Sequence, residues 1–232
     1  MRTRIGLTTL GLVLALAAGT SASAQSAATA LDPARFTTRI DNEWFPLVPG
    51  TTYVYTGVEG GAKARDVVSV SRATTVIAGV RCRVVHDRLY RRGRLAERTS
   101  DWYAQDSAGN VWYFGEATAE LDRKGRVTST EGTWTAGVDG AKAGTLMLAH
   151  PVVGRSYRQE FYKGQAEDYA RVIAVLHSPL AGGAQTVLTE EWTPLEPGVL
   201  DHKLYARGIG NVVERTVKGG NDTLELTSIT RT

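Results

Sequence analysis

The chain has 232 residues, 42% of them hydrophobic and 22% charged, with 27 basic against 24 acidic side chains and a formal net charge of +3. Without Arg2 and Arg4, which belong to a leader, 25 basic side chains face 24 acidic ones, a balance that speaks against nucleic acid as a partner. Cys82 is the sole cysteine, so an intramolecular disulfide is excluded and stability must come from the core.

Arg2 and Arg4 precede an apolar run from Leu7 to about Ala18, and Ala22-Ser23-Ala24 then supplies the small residues of a cleavage site. The pattern predicts a secretory signal peptide over 1–24 and a mature start at Gln25, secreted or periplasmic. The run is too short and too interrupted to anchor the chain in a membrane, so no transmembrane segment is expected after cleavage. No cysteine lies near the cut for a lipid to modify. Residues 25–30 are small and polar and read as a flexible lead-in to a single β domain over 31–232.

From there, period-2 segments dominate. Tyr53 to Tyr55, Asp66 to Val76, Val80 to Tyr90, Leu95 to Gln105 and Val111 to Gly115 are rich in Val, Thr, Tyr and Trp and are divided by glycine-bearing turns. Cys82 alternates with Val80 and Val84, a buried strand position. The arginines between Arg88 and Arg98 surround a turn and read as a solvated hairpin tip. Ala117 to Leu121 could form a short helical turn. Residues 126–151 then form a connection, either a functional lid or an ordered link between half-sheets.

The second half repeats the first. Gly50-Thr51-Thr52-Tyr53 returns as Gly154-Arg155-Ser156-Tyr157, and Tyr103-Ala104 with Gly109-Asn110-Val111 returns as Tyr205-Ala206 with Gly210-Asn211-Val212. Pseudo-repeats over about 46–116 and 150–217, joined by 117–149, each give five strands, and Leu224 to Ile229 adds a last one. The expected fold is all-β, an antiparallel meander of ten to eleven strands rolled into a barrel, a half-barrel or two packed sheets. Neither half is expected to fold alone.

The densest aromatic segment runs from Asp101 to Glu116. Asp101 and Tyr103 share one face of the first strand, and Trp112 and Phe114 share one face of the next. Rings with a few polar groups can line a ligand site, which makes Asp101, Tyr103, Trp112 and Glu116 candidate binding residues, with Arg158 holding an anionic group. Acidic residues crowd the second repeat. Neighbours on a strand point to opposite faces, so one of Glu190 and Glu191, and one of Asp201 and His202, can face a given cavity. Asp101 against Lys203 and Ser100 against His202 are unequal residues at equivalent positions of the repeats, the kind of place where a duplicated fold specialises.

The hairpin, with Ser129-Thr130-Glu131-Gly132, Ala136 to Ala141, Tyr157-Arg158-Gln159-Glu160, Ala166-Glu167-Asp168 and Glu191 to Gly198, resembles a family of uncharacterised secreted bacterial all-β proteins. The likeness covers the chain from about Leu31, with a leaner loop at Leu180 to Ala184. The family has no established activity, so the resemblance implies a fold and a compartment but no site.

No HxH, HxxxH or HExxH spacing occurs among the four histidines, and no GxSxG, SxxK, P-loop or nucleotide fingerprint is present. No cofactor and no metal are expected. The leading expectation is a non-catalytic secreted protein that binds a small or lipidic ligand, or a cell-envelope partner, in the concavity of its sheet. The rival is a carboxylate-based hydrolase or isomerase whose site, between the repeats, would use Asp101, Glu116, Glu191 and His202.

Overall fold

The computed structural model describes residues 31–232; the expected signal peptide and the lead-in over 25–30 lie outside the described residues. The first half supplies β1 (Phe36–Thr37), β2 (Thr51–Glu59), β3 (Ala62–Ile77), β4 (Val80–Arg91), β5 (Arg94–Asp106) and β6 (Val111–Leu121). The connection adds β7 (Val127–Ser129), β8 (Trp134–Thr135) and β9 (Lys142–Met147). The second half gives β10 (Ser156–Arg158), β11 (Glu160–Phe161), β12 (Tyr169–His177), β13 (Gln185–Trp192), β14 (Leu200–Ala206), β15 (Gly210–Lys218) and β16 (Thr223–Arg231). β-branched and aromatic residues at period 2 favour the extended backbone, and glycine turns reverse it.

These strands form one 16-stranded sheet in the order β10-β12-β13-β14-β15-β16-β2-β3-β4-β5-β6-β9-β11, with β1 on β5 and with β7 and β8 on β6. The last strand returns to the first long one, since β16 pairs antiparallel with β2. The two ends of the order, β10 and β11, are separated in the chain by Gln159 alone. Its backbone N–H donates to Asp168 O at 2.8 Å, beside β12, and its side-chain amide donates to Leu146 O on β9 at 3.3 Å. One interrupted strand thus joins both ends into a nearly closed barrel, which leaves few unpaired edges in a sheet too wide to stay open. The seam is tight: a Cβ on Gly144 would meet the Gln159 carbonyl at 2.5 Å, so this close approach requires glycine.

Two expectations change and one alternative left open is decided. The strand count rises to sixteen because short strands and the split of β10 from β11 leave no periodic run long enough to recognise. Ala117 to Leu121 continues β6 instead of turning into helix; pairing with Glu97 to Ser100 satisfies its backbone directly, whereas a helical turn carries a nucleation cost. The 126–151 connection is an ordered part of the wall, with β9 lying between β6 and β11.

The two repeats share local geometry. Gly50 N donates to Val70 O and Gly154 N to Val172 O, both at 2.8 Å, and each turn carries a following bond, Thr51 N to Val48 O at 3.1 Å and Arg155 N to Val152 O at 3.0 Å.

One end of the barrel is plugged by the segment before β2. The Gln105 side chain accepts from the backbone N–H groups of Asp41 and Asn42 at 3.0 and 2.9 Å, and the Asn42 amide donates to Gly109 O and Leu148 O. Glu43 pairs with Arg207 at 2.8 Å, and Arg83 donates to Thr38 O at 3.2 Å. The turns after β5, β9 and β14 therefore all grip one short segment. Its Trp44 and Leu47 are buried, and Phe45 stands over the interior.

Candidate functional site

Strand parity sends every second side chain inward. Tyr55 on β2, Asp66 and Val68 on β3, Val85 and Asp87 on β4, and Asp101 and Tyr103 on β5 all line a cavity of about 190 Å3. The lining continues past β2 with Leu224 on β16, Asn211 and Glu214 on β15 and Lys203 and Tyr205 on β14. Phe45 forms the floor, edge-on to Tyr103 at 5.7 Å and to Tyr205 at 6.2 Å. The two repeats thus place equivalent tyrosines on one plug residue.

A bulge breaks the parity of β6. Asp101 pairs with Glu116 but Tyr103 with Tyr113, so β6 carries an extra residue opposite Trp102. Gly115, at φ +131, makes the bulge possible, and a Cβ there would lie 2.3 Å from Trp134 O. Tyr113 and Glu116, three positions apart, consequently both turn inward. Tyr113 stacks on Tyr103 at 4.8 Å with 17° between planes and donates to Asp101 Oδ1 at 2.6 Å. Trp134 meets Tyr113 edge-on at 5.4 Å and donates to Glu160 Oε2 at 2.7 Å.

The candidates from sequence divide between the two sides of the wall. Asp101 and Tyr103 line the cavity, and Glu116 is buried beside Asp101 without lining it. Glu191 is also inside, where its Oε1 accepts from Thr189 Oγ1 at 2.8 Å and from Tyr205 OH at 3.1 Å. Trp112 is on the outer face, edge-on to Phe36 and bonded to Asp106 Oδ2 at 2.9 Å, because the bulge lies beyond it and cannot bring it inward. Arg158 is outside as well. It donates to Tyr169 OH at 3.0 Å and lies 4.4 Å from the Phe161 ring centroid. His202 faces outward too, with Nε2 3.9 Å from Glu190 Oε2, so Asp101, Glu116 and Glu191 do not share a site with it. Of the unequal repeat pairs, Asp101 and Lys203 meet in the cavity, while Ser100 bonds His86 at 3.0 Å across the strand pair.

Burial sets the electrostatics. It raises the Asp101 carboxyl to about 7, against the hydrogen bond from Tyr113 and with help from the charges of Asp66 and Glu97. Burial, then the charge of Asp66 and a hydrogen bond with it, raises Asp87 well above the ordinary range. Glu116 is raised by burial and by Asp101, and Glu160 by burial and by Asp168. For Lys203, burial works against the ammonium, but Glu191 at 3.2 Å and Glu214 at 3.5 Å outweigh it and hold the charge. Cys82 is buried among strands, and burial pushes its thiol up to about 12, which leaves it inert. Among the described residues no group of His, Cys, Asp and Glu has a metal-holding arrangement.

No family model and no curated protein matches the chain. Two solved structures do. One is a protein of Bacteroides fragilis described as exported and of YmcC-like fold, 14% identical, with a TM-score of 0.44 over 81% of this chain and 99% of that one. The other, from Parabacteroides distasonis and described as a lipoprotein, is 9% identical, with a TM-score of 0.44 over 81% of this chain and 98% of that one.

Sequence reasoning missed Phe45, Asp66, Asp87, Tyr205 and Glu214. A signal was present for the two aspartates. Asp66 is in phase with Val68 and Val70, and Asp87 with Val85 and Leu89, so a carboxylate stands where the period calls for an apolar residue.

Proposed function

We propose that this is a secreted, non-catalytic binding protein that holds a small molecule inside its barrel. The observation that carries the reading is the cavity itself: rings of Phe45, Tyr55, Tyr103 and Tyr205 beside a few polar groups, the usual make-up of a ligand site. At about 190 Å3 it is smaller than the roughly 300–1,000 Å3 of drug-sized sites, which favours a compact ligand over a lipid chain. The outward position of His202 removes one of the four members of the hydrolase arrangement and weighs against it.

A thermal-shift screen of small fragments tests this. Fragments of fewer than about ten heavy atoms are expected to raise Tm in the wild type. They are expected to have no effect on Leu224→Trp, where the indole fills the cavity. Laurate is expected to bind neither. Stabilisation that persists unchanged in Leu224→Trp would place binding elsewhere.

Secretion is proposed from the leader. Intact-mass measurement of material exported by a bacterial host should give a chain that begins at Gln25 and carries no lipid; a retained leader would contradict this.

A further inference from the structure

Two acceptor atoms in the cavity receive no N–H or hydroxyl donor. Asp66 is only 8% exposed, and its buried Oδ1 has none, its carboxyl having the raised Asp87 carboxyl as its hydrogen-bond partner; Asn211 Oδ1 is likewise without one. Three of the other donors nearby are committed elsewhere. Tyr55 OH donates to Asn211 O at 3.0 Å, Tyr205 OH to Glu191 Oε1, and the Lys203 ammonium is held between Glu191 and Glu214. A buried carboxyl pair with a single hydrogen bond between its members is still short of donors, so the missing component of this site is a donor.

Charge agrees with that. Asp66, Asp87, Asp101 and Glu214 line the cavity, and although Asp87 and Asp101 are raised and so less charged, Lys203 is the one cation in the lining and Glu191 and Glu214 already neutralise it. The rings of Phe45, Tyr103 and Tyr205 line the same cavity, and an aromatic lining favours a cation over an anion. An anion would meet carboxyl groups on four strands. A neutral apolar molecule would leave Asp66 Oδ1 unsatisfied.

We infer that the ligand is a compact organic ammonium ion, its N–H groups donating to Asp66 Oδ1 and Asn211 Oδ1 and its hydrocarbon body lying against Phe45, Tyr103 and Tyr205. This rests on the binding reading above and names its chemical class. The Asp66 carboxylate selects for charge, and the small volume selects for size.

Calorimetric titration of the mature protein with n-butylammonium, n-butanol and butyrate tests the inference on isosteres that differ only in the head group. Butylammonium is expected to bind about 10- to 100-fold more tightly than either, the worth of a charge-assisted hydrogen bond. Asp66→Asn is expected to lose that preference while its own Tm, without probe, stays level or rises, since the substitution removes a like charge beside Asp87. n-Butanol or butyrate binding as tightly as butylammonium, with the heat lost in Leu224→Trp, would overturn the ammonium inference and leave the binding reading standing. No heat from any of the three at millimolar concentration would overturn both. The comparison within the wild type decides the matter even where Asp66→Asn does not fold, and Asp66→Glu, which keeps the charge, is expected to keep the preference.

Discussion

The protein should be more stable near pH 4 than at pH 7. Asp101 has a folded-state pKa of about 7, against an ordinary aspartate value near 4, and burial is the main cause. Between those values the native state holds a proton that the unfolded chain has released, so this stabilisation is complete below the ordinary value and is lost as pH rises through 7. Asp101 alone accounts for up to roughly 4 kcal/mol across that window. Asp87, Glu116 and Glu160 are raised in the same direction by burial and then by neighbouring carboxyls, Asp66, Asp101 and Asp168 in turn. Asp106 opposes them. Burial pushes its carboxyl up, but hydrogen bonds from Asn110, Trp112 and the backbone hold it net below the ordinary range, so its contribution is lost only as pH falls below that range. Melting followed by circular dichroism from pH 3 to pH 8 should therefore show Tm peaking at about 4 to 5 and falling toward 7. Asp101→Asn, whose amide oxygen still accepts from Tyr113, should flatten the slope. A Tm that climbs steadily to pH 7 would mean that the interior carboxyls are already ionised in the native state.

Gly115→Ala is expected to cost more than roughly 3 kcal/mol, or a fall in Tm of about 6–12 °C for a chain this long. The backbone there has φ +131, a region that alanine avoids, and the added Cβ would sit 2.3 Å from Trp134 O and 3.0 Å from Thr135 Cα. Relief requires either loss of the β8 pairing or straightening of the bulge. Straightening would turn Tyr113 or Glu116 to the outer face and break the Tyr103–Tyr113 stack, which should appear as a loss of near-UV circular dichroism. Gly125→Ala is the control. Its φ of +76 is also left-handed, but nothing lies within 4 Å of the new Cβ, so about 1–2 kcal/mol is expected. Equal losses at the two positions would remove the bulge from the account of the site.

Much of the wall was legible because its information is local. Period-2 alternation in Asp66 to Val70 and Val85 to Leu89 fixes both the extended backbone and the side of the sheet on which each residue stands, up to the register shift between Val70 and Thr74. The same rule separates Glu191 from Glu190 and Asp201 from His202, and the wall does divide Glu191 from His202. Trp112 failed for a reason that also is local but has no pattern: one glycine shifts the phase of β6 from Gly115 onward, and alternation read from one side of the bulge gives the wrong face for what lies on the other. β9 failed because Lys142–Met147 contains a glycine and no long β-branched run; its strand conformation comes from the β6 and β11 backbones on either side.

By itself, the sequence determined an all-β meander, its repeated units and which residues share a strand face, since each depends on neighbours within a few positions. Only the tertiary structure decided that β16 returns to β2, that β10 and β11 close the ring and that Phe45 plugs it. The gathering of Asp66, Asp87, Asp101, Lys203 and Glu214 around one cavity follows from that closure. These residues are up to about 150 positions apart, and no local period records which strands a curling sheet brings face to face.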